Sequence, residues 1–418
     1  MLQSITALLL SLLQCVLALF GFTGPIQEPA PKDTYPIVFV HGLAGWGEDA
    51  DLNYIVPHWG QMAGSLPKYL NSQGYECYAA SVGPVSSAWD RACELYAHIT
   101  GSRVDYGAAH AAEYGHERYG LTYKKALLPD WNDSDRKIHL VGHSFGGMTA
   151  RLFIQLLEEG SAAERAVTPE EALSPLFSGA LGGRVASLTT LGAPHNGSTA
   201  PEPGIDASAK LHTMLTALGY VVNIIPFASR VYPYRLEHFG ISFANLIRTP
   251  WKAVETERAF NEGRDRAEVD LTVDTSAALN EGLSCLPEIY YFSYAAQRTR
   301  DDGNGNQVPH EDMWSMFQEG AALMGLRRKP FYTAGGVLID DAWLPNDGLV
   351  NVISALYPFN EPRQDYDPDD LRPGVWQVMP LIEEYDHMDF VGGMRQLGGT
   401  PGIQEFYLEL ANMLEMVP

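Results

Sequence analysis

The stretch Lys137-Ile-His-Leu-Val-Gly-His-Ser-Phe-Gly-Gly-Met148 decides how this chain is expected to fold. Its first six residues are mostly apolar and predict a buried strand, and residues Met148 to Glu158 repeat apolar side chains at helical spacing. Between them, the pattern Gly142-x-Ser144-x-Gly146 predicts a tight turn whose glycines leave room for a serine held out of the sheet. By chance the pattern also occurs in glycine-rich turns without chemistry. The strand before it and the helix after it favour a nucleophilic serine.

The rest of the chain continues this alternation of strands and helices. Apolar runs predict four further strands and a closing helix, at Ile37–Val40, Tyr75–Val82, Val185–Leu191, Ile289–Tyr294 and, for the helix, Gln404–Leu414. Such alternation predicts an α/β protein with a mostly parallel sheet covered on both faces, and the serine turn specifies the α/β-hydrolase fold. With 418 residues, 46% of them hydrophobic, the chain can form one elaborated domain over residues 36–418. Two domains are equally compatible with this length.

The N-terminal segment is interpreted as a targeting signal. No charged side chain precedes Glu28, and the segment from Ile5 to Phe22 is largely apolar. Its length lies between that of a signal-peptide core and that of a membrane span. We interpret residues 1–23 as the signal peptide of a secreted protein, with an uncleaved anchor as the alternative, and residues 24–35 as a linker. Three cysteines remain, too few for a disulfide framework: Cys77, Cys93 and Cys285.

The charge of the chain excludes some partners. The formal net charge is −23, from 51 acidic and 28 basic residues. Such a surface repels phosphate backbones and anionic bilayers, so nucleic acid is not an expected partner. Neutral lipid is compatible with this charge. Nothing in the sequence indicates an obligate protein partner.

A serine nucleophile needs a general base that is itself oriented by a carboxylate. In this fold the chain order is serine, acid, histidine. His387 is the histidine placed late, just before the closing helix, and Asp347 lies upstream in a turn after an apolar segment. Asp386 is the rival acid, but a residue adjacent to His387 in sequence points away from its ring. We therefore predict a catalytic triad of Ser144, His387 and Asp347.

The backbone is expected to stabilise the oxyanion that forms during acyl transfer. Two N–H donors are required. One is predicted to come from Phe145, directly after the nucleophile, and the other from Leu43 in the loop after the first strand. The expected chemistry is the cleavage of carboxylic esters, most of all those of lipids, through an acyl-enzyme that water releases.

Two stretches depart from the strand-and-helix rhythm. Residues 86–136 form an insertion rich in Tyr, His and Gly. Residues 205–240 contain an apolar run between Leu211 and Ile225, which predicts either a helix packed on the core or a mobile lid over the active site. Given a lipolytic triad, we favour the lid.

Together these features resemble the bacterial family I.5 lipases of Bacillus and Geobacillus, with the staphylococcal lipases as more distant relatives. The resemblance runs from about Pro36 to the C-terminus. It is most specific in four unusual strings, Val82–Glu94, Val104–Ala112, Asn346–Asn351 and Asp386-His387. The resemblance implies the same triad, a helical lid and acylglycerol substrates. The family has alanine at position 142 and glutamine at position 145, where this chain has glycine and phenylalanine.

The resemblance also implies a structural zinc ion in the insertion. The matching positions are Asp90, His110 and His116, with Glu237 where the family has an aspartate. Two histidines and two carboxylates suit tetrahedral zinc. Residues 110 and 116 are six apart, which puts them about 120° apart around a helix, so they cannot share one helical face. We therefore expect Gly115 to end the helix, or the site to lie on a loop.

A calcium site is implied less directly. Asp389 stands where the family has a glutamate ligand. However, Met394 and Arg395 replace the Asp-Pro pair expected just beyond it, and the charge of an arginine opposes cation binding. Asp312 is a candidate for a backbone oxygen ligand.

The sequence thus predicts a secreted enzyme that hydrolyses triacylglycerols at an oil–water or membrane interface. A broad carboxylesterase, a phospholipase and an acyltransferase would use the same triad and are the alternatives among enzymes. From another class, an inactive hydrolase-fold binding module is the alternative. Such modules typically lose a catalytic residue, whereas all three are present here.

Overall fold

The core of the protein is a parallel sheet with helices on both faces. The computed structural model describes residues 31–208, 228–393, 395 and 398–418. In these residues seven strands form the main sheet: β1 Ile37–Val40, β2 Cys77–Ala80, β3 Ile138–His143, β4 Val185–Leu191, β5 Tyr290–Tyr294, β6 Arg363–Asp365 and β7 Trp376–Val378. Their order across the sheet is β6-β7-β5-β4-β3-β1-β2, and every neighbouring pair is parallel. The predicted α/β class is confirmed.

Helices connect successive strands of the sheet, except between β6 and β7. Their bounds are α1 Leu66–Ser72, α2 Ala88–Thr100, α3 Ala108–Tyr114, α4 Phe145–Glu159, α5 Ala162–Val167, α6 Ala228–Val231, α7 Phe243–Arg248, α8 Pro250–Glu262, α9 Ala267–Asp270, α10 Val273–Glu281, α11 Ser315–Met324, α12 Val352–Leu356 and α13 Ile403–Leu414. Short antiparallel strand pairs lie outside the main sheet. They join Arg103–Asp105 with Tyr119–Thr122, Thr299–Asp301 with Gln307–Pro309, and Phe331–Tyr332 with Leu338–Ile339.

The two faces of the sheet bury different hydrophobic layers. Successive side chains of a strand point to opposite faces. In β1, Val38 and Val40 therefore join the layer formed with α2 and α4, while Ile37 and Phe39 join the layer formed with α1 and α13. The ring of Phe39 lies 5.0 Å from that of Trp59 and 5.8 Å from that of Tyr407. All four residues of β1 are fully buried, as its apolar sequence predicts.

The parallel arrangement puts the carboxyl ends of the strands at one edge. Strand β3 lies between β4 and β1 and pairs with β1 so that Gly142 is level with Val40. Helix α4 starts at Phe145, three residues earlier than predicted, because the turn at Ser144 leads directly into the helix. It ends where expected, and its C-cap Gly160 has a φ of 66°.

Insertion 86–136 contains α2, which packs on the sheet, and then a short antiparallel strand pair whose two strands flank α3. The apolar run 211–225 of the predicted lid, the signal peptide 1–23 and residues 24–30 of the linker lie outside the described residues. Among the helices that are described, none is long and apolar enough to cross a membrane.

The layer beneath Phe39 generates a stability prediction. The substitution Phe39→Ala should lower the free energy of unfolding by about 3–5 kcal/mol, because it leaves a cavity beside Trp59 and Tyr407. Urea denaturation followed by circular dichroism measures this loss. The control is Tyr54→Ala, whose side chain is 76% exposed and should change stability little. Equal losses in both variants would contradict the assignment of Phe39 to the core.

Candidate active site and metal site

The turn at Ser144 is held in a strained conformation. Ser144 has φ 56° and ψ −131°, a region that residues with a side chain rarely adopt. Its N–H donates to the carbonyl of Leu191 at the end of β4, with N and O 2.9 Å apart. A Cβ on Gly146 would overlap the backbone oxygen of Val40, so this position requires glycine. The turn therefore packs directly on the end of β1.

Two residues of the predicted triad, His387 and Asp347, are hydrogen-bonded, and the third, Ser144, lines the same cavity as His387. Nδ1 of His387 lies 2.8 Å from Oδ2 of Asp347, and the backbone N–H of His387 donates to the carbonyl of Asp347 at 2.9 Å. The other carboxylate oxygen, Oδ1, accepts from the N–H groups of Leu349 and Val350. Ser144 and His387 line one cavity of about 390 Å³. Asp347 is fully buried behind the ring and lies in a loop rather than at the end of a sheet strand.

Asp386 does not contact the ring of His387, as expected for an adjacent residue. Its carboxylate instead accepts from the backbone N–H groups of Trp314 and Met388. Burial, reinforced by the nearby charge of Asp389, raises the pKa of Asp386 to about 6. The carboxyl group of Asp386 therefore stabilises the surrounding loop and does not orient the ring of His387.

Two neighbouring histidines, His143 and His41, contact backbone groups around the site. Nε2 of His143 lies 2.9 Å from the carbonyl oxygen of His387, and the two rings are 4.8 Å apart. His41 accepts the N–H of Val82 through Nε2. Burial lowers the pKa of both His143 and His41 well below its ordinary value, so both rings are neutral scaffold groups.

The backbone donors predicted for the oxyanion lie next to Ser144. Phe145 is the first residue of α4, so its N–H has no partner within the helix. Leu43 lines the cavity, and the adjacent Gly42 is so close that a Cβ there would lie 2.6 Å from Cβ of Ser144. The ring of Phe145 is buried beneath the guanidinium of Arg91, 5.0 Å away, and does not border the cavity. The side chain of Phe145 is therefore not part of the cavity wall in the described residues.

Four side chains of the insertion and a later turn converge as a candidate metal site: Asp90, His110, His116 and Asp265. One donor atom from each lies within 4.8 Å of the others. Nε2 of His110 and Nε2 of His116 are each 3.2 Å from Oδ2 of Asp265, and Nε2 of His110 is 3.4 Å from Oδ1 of Asp90. In the described part of the chain, Oδ1 of Asp90 has no hydrogen-bond partner although it is buried.

These separations fit a tetrahedral cation. Ligand atoms at about 2.0–2.1 Å from a tetrahedral centre are about 3.3 Å from one another, which matches the observed spacings. The local sequence explains the arrangement. Helix α3 carries His110 and ends at Gly115, whose φ is 76°, so that His116 turns back towards His110. This is the helix break that the spacing of the two histidines requires.

The predicted fourth ligand, Glu237, is wrong. Glu237 is exposed and lies outside the cluster, whereas Asp265 occupies the fourth position. Neighbouring residues of a turn point in different directions, and it is His238 that faces inward, with Nε2 2.9 Å from Oδ2 of Asp90. Sequence reasoning missed both Asp265 and His238. One signal could have identified Asp265. The family to which the resemblance points has an aspartate as the fourth ligand, and Asp265 is an aspartate whereas Glu237 is not.

Asp389, the candidate calcium ligand, is paired with a cation of the chain itself, the guanidinium of Arg395. Nε of Arg395 donates to Oδ1 of Asp389 at 2.7 Å and Nη2 donates to Oδ2 at 3.1 Å. Thr400 and the N–H of Asp386 donate to the same carboxylate. Asp312 pairs with Arg298. The geometry at Asp389 thus disfavours calcium, in line with the charge of Arg395.

Comparison with known proteins gives a consistent set of relatives. The family model described as "Lipase-like, C-terminal domain" matches residues 33–417. Lipase 2 of Staphylococcus aureus (strain MSSA476) is 37% identical over 378 residues, which cover 88% of this chain and 51% of the relative. The chain therefore spans about half the length of the curated relatives it matches.

Two solved structures resemble the fold closely. The Staphylococcus hyicus lipase superposes with a TM-score of 0.79 at 30% identity, covering 94% of this chain and 98% of the other. EstA from Clostridium botulinum superposes with a TM-score of 0.77 at 36% identity, covering 94% of this chain and 89% of the other. These neighbours agree with the predicted α/β-hydrolase fold.

The metal cluster generates a prediction that separates Asp265 from Glu237. Protein purified without chelator should retain one divalent metal ion per chain, as elemental analysis measures. The substitution Asp265→Ala should remove most of the metal, because it deletes the buried carboxylate oxygen that lies close to both histidines. The matched control Glu237→Ala should keep it, because that side chain is exposed. Metal loss in Glu237→Ala with retention in Asp265→Ala would contradict the assignment.

Proposed function

This chain belongs to the family of lipase-like C-terminal domains, and on that premise we propose that it is a serine hydrolase of lipid esters. The single observation that carries the proposal is the pairing of His387 Nδ1 with Asp347 Oδ2 at 2.8 Å in the wall of the cavity that Ser144 also lines. A buried carboxylate that fixes a histidine beside a strained serine is the arrangement that makes a hydroxyl nucleophilic.

Each group has a distinct role in the proposed reaction. His387 takes the proton of Ser144 as the serine attacks the ester carbonyl, and it later returns a proton to the leaving alcohol. Asp347 holds the ring in the orientation and tautomer that leave Nε2 for the serine, and its charge stabilises the imidazolium. The N–H groups of Leu43 and Phe145 stabilise the oxyanion. Water then releases the acyl group from Ser144.

The lining of the cavity supports lipid esters as substrates. Most of its wall is apolar and includes Leu43, Trp46, Leu271, Phe317 and Leu349. An acyl chain gains free energy on leaving water for such a wall, in proportion to its buried apolar area. We propose triacylglycerols as the principal substrates, met at a lipid–water interface.

We propose further that the cation at Asp90, His110, His116 and Asp265 is zinc rather than calcium. The proposal is supported by the donor set, since two imidazole nitrogens with two carboxylates suit zinc, whereas calcium takes six to eight oxygens. When bound, zinc would supply structural cross-linking of insertion 86–136 to the turn at Asp265. His238, hydrogen-bonded to Asp90, would orient that ligand.

Two finer points belong to the same proposal. The apolar segment within residues 1–23 supports secretion. Closer kinship with the thermostable Bacillus and Geobacillus lipases rests on the strings that this chain shares with them, above all Val82–Glu94 and Val104–Ala112.

The proposed function is tested by separating the two neighbouring acids. The substitution Asp347→Asn should lower kcat for tributyrin hydrolysis by about 10³–10⁴-fold, because the ring of His387 loses the partner that sets its tautomer. Titration of released acid in a pH-stat measures the rate.

Asp386→Asn is the matched control. The same change one residue from His387 removes a carboxylate that contacts only backbone N–H groups of its own surroundings. It should retain most of the activity. A larger loss in Asp386→Asn than in Asp347→Asn would reverse the assignment of the acid.

A further inference from the structure

A fully buried arginine contacts both chain segments that supply the predicted oxyanion donors. Arg91 lies on α2, and 0% of its surface is exposed. Burial lowers the pKa of Arg91 to about 10, so the guanidinium is still cationic near pH 7. A buried cation costs free energy unless its donors find acceptors. The proposed reaction assigns Arg91 no role, although the folded protein must offset this cost.

The guanidinium first contacts the loop after β1. Nη2 donates to the carbonyl of His41, two residues before Leu43, and Nη1 donates to the carbonyl of Gly83 at 2.6 Å. One residue after Leu43, the N–H of Ala44 donates to the carbonyl of Pro84 at 2.9 Å. The loop is therefore held against one neighbouring segment on both sides of Leu43.

The guanidinium also contacts the start of α4. Nε donates to the hydroxyl of Thr149 at 2.8 Å, and that hydroxyl donates in turn to the carbonyl of Phe145 at 3.1 Å. Cζ of Arg91 lies 5.0 Å from the centre of the Phe145 ring. One planar group thus joins the loop of Leu43 to the first turn of α4. These are the two segments whose N–H groups are predicted to stabilise the oxyanion.

We propose that Arg91 is a positioning residue for the oxyanion hole, and that its guanidinium fixes the N–H groups of Leu43 and Phe145 relative to each other. Such donors act only when they are held where the negative charge develops. A guanidinium has its N–H donors in a fixed plane, so its hydrogen bonds to three different acceptors set direction as well as distance. The inference rests on the proposed ester hydrolysis and adds a residue that acts on it through the backbone.

An ester and its thionoester, in which sulfur replaces the carbonyl oxygen, test this role. 4-Nitrophenyl butyrate and O-4-nitrophenyl thionobutyrate have the same acyl chain and the same leaving group. Sulfur is a weaker hydrogen-bond acceptor than oxygen, so the thionoester gains less from the two N–H donors. The release of 4-nitrophenol gives kcat/KM for both substrates. The ratio of the two values does not depend on the fraction of folded protein, so a merely structural loss leaves this ratio unchanged.

Two variants displace the donors without deleting them. Arg91→Lys keeps the charge but cannot reach all three acceptors, so it should lower kcat for the ester by about tenfold with little change in KM. The ratio of ester to thionoester should fall by about the same factor. This is less than the roughly 10²–10³-fold cost of removing a whole donor. Thr149→Val has a similar shape, removes the hydroxyl between Arg91 and Phe145, and should lower the ratio in the same direction.

Arg151→Lys is the matched control. It makes the same change at another buried arginine, on α4, whose guanidinium donates to Asn280, and it should leave the ratio unchanged. An unchanged ratio in Thr149→Val or in folded Arg91→Lys would overturn the positioning role and leave ester hydrolysis standing. An equal fall of the ratio in Arg151→Lys would overturn it as well. If the wild-type protein hydrolyses neither 4-nitrophenyl butyrate nor tributyrin, the proposed function fails, and the positioning role with it.

Discussion

The close packing of the Ser144 turn against the end of β1 is the constraint on which the rest of this structure depends. Gly146 can pack against the backbone oxygen of Val40 only because it has no Cβ. Gly42 packs against Cβ of Ser144 for the same reason. These contacts hold the serine in its left-handed conformation at the carboxyl edge of the sheet. They also bring the loop after β1, with Leu43, beside the serine. The predicted oxyanion donors are thereby built from the same packing as the predicted nucleophile.

Helix α2 connects this turn to the metal cluster through two consecutive residues. Asp90 belongs to the cluster. Arg91 is fully buried and donates to the carbonyls of His41 and Gly83 and to the hydroxyl of Thr149 on α4. The guanidinium thus ties the loop after β1 to the helix that follows Ser144. A cation bound at Asp90 would stiffen the helix that carries Arg91. Such an ion would affect the position of the active-site loops without taking part in the reaction.

Local sequence patterns were sufficient for the fold and insufficient for part of the site. The strand at Ile37–Val40 and the helix after Ser144 follow from short-range apolar spacing, and the fold class is confirmed. Asp347 and His387 were reached through chain order, and their pairing across forty residues agrees with that order. Asp265 was missed because its approach to His110 spans 155 residues and depends on how α8 and α9 are joined.

We propose above all that Ser144 is the nucleophile of an ester hydrolase. Covalent trapping tests it most directly: the wild-type protein is incubated with a long-chain alkyl phosphonate ester, digested and analysed by mass spectrometry. We predict one adduct per chain, on the peptide that contains Ser144, together with loss of tributyrin hydrolysis in proportion to labelling. Complete labelling of another residue, or full inhibition with Ser144 unmodified, would contradict the account.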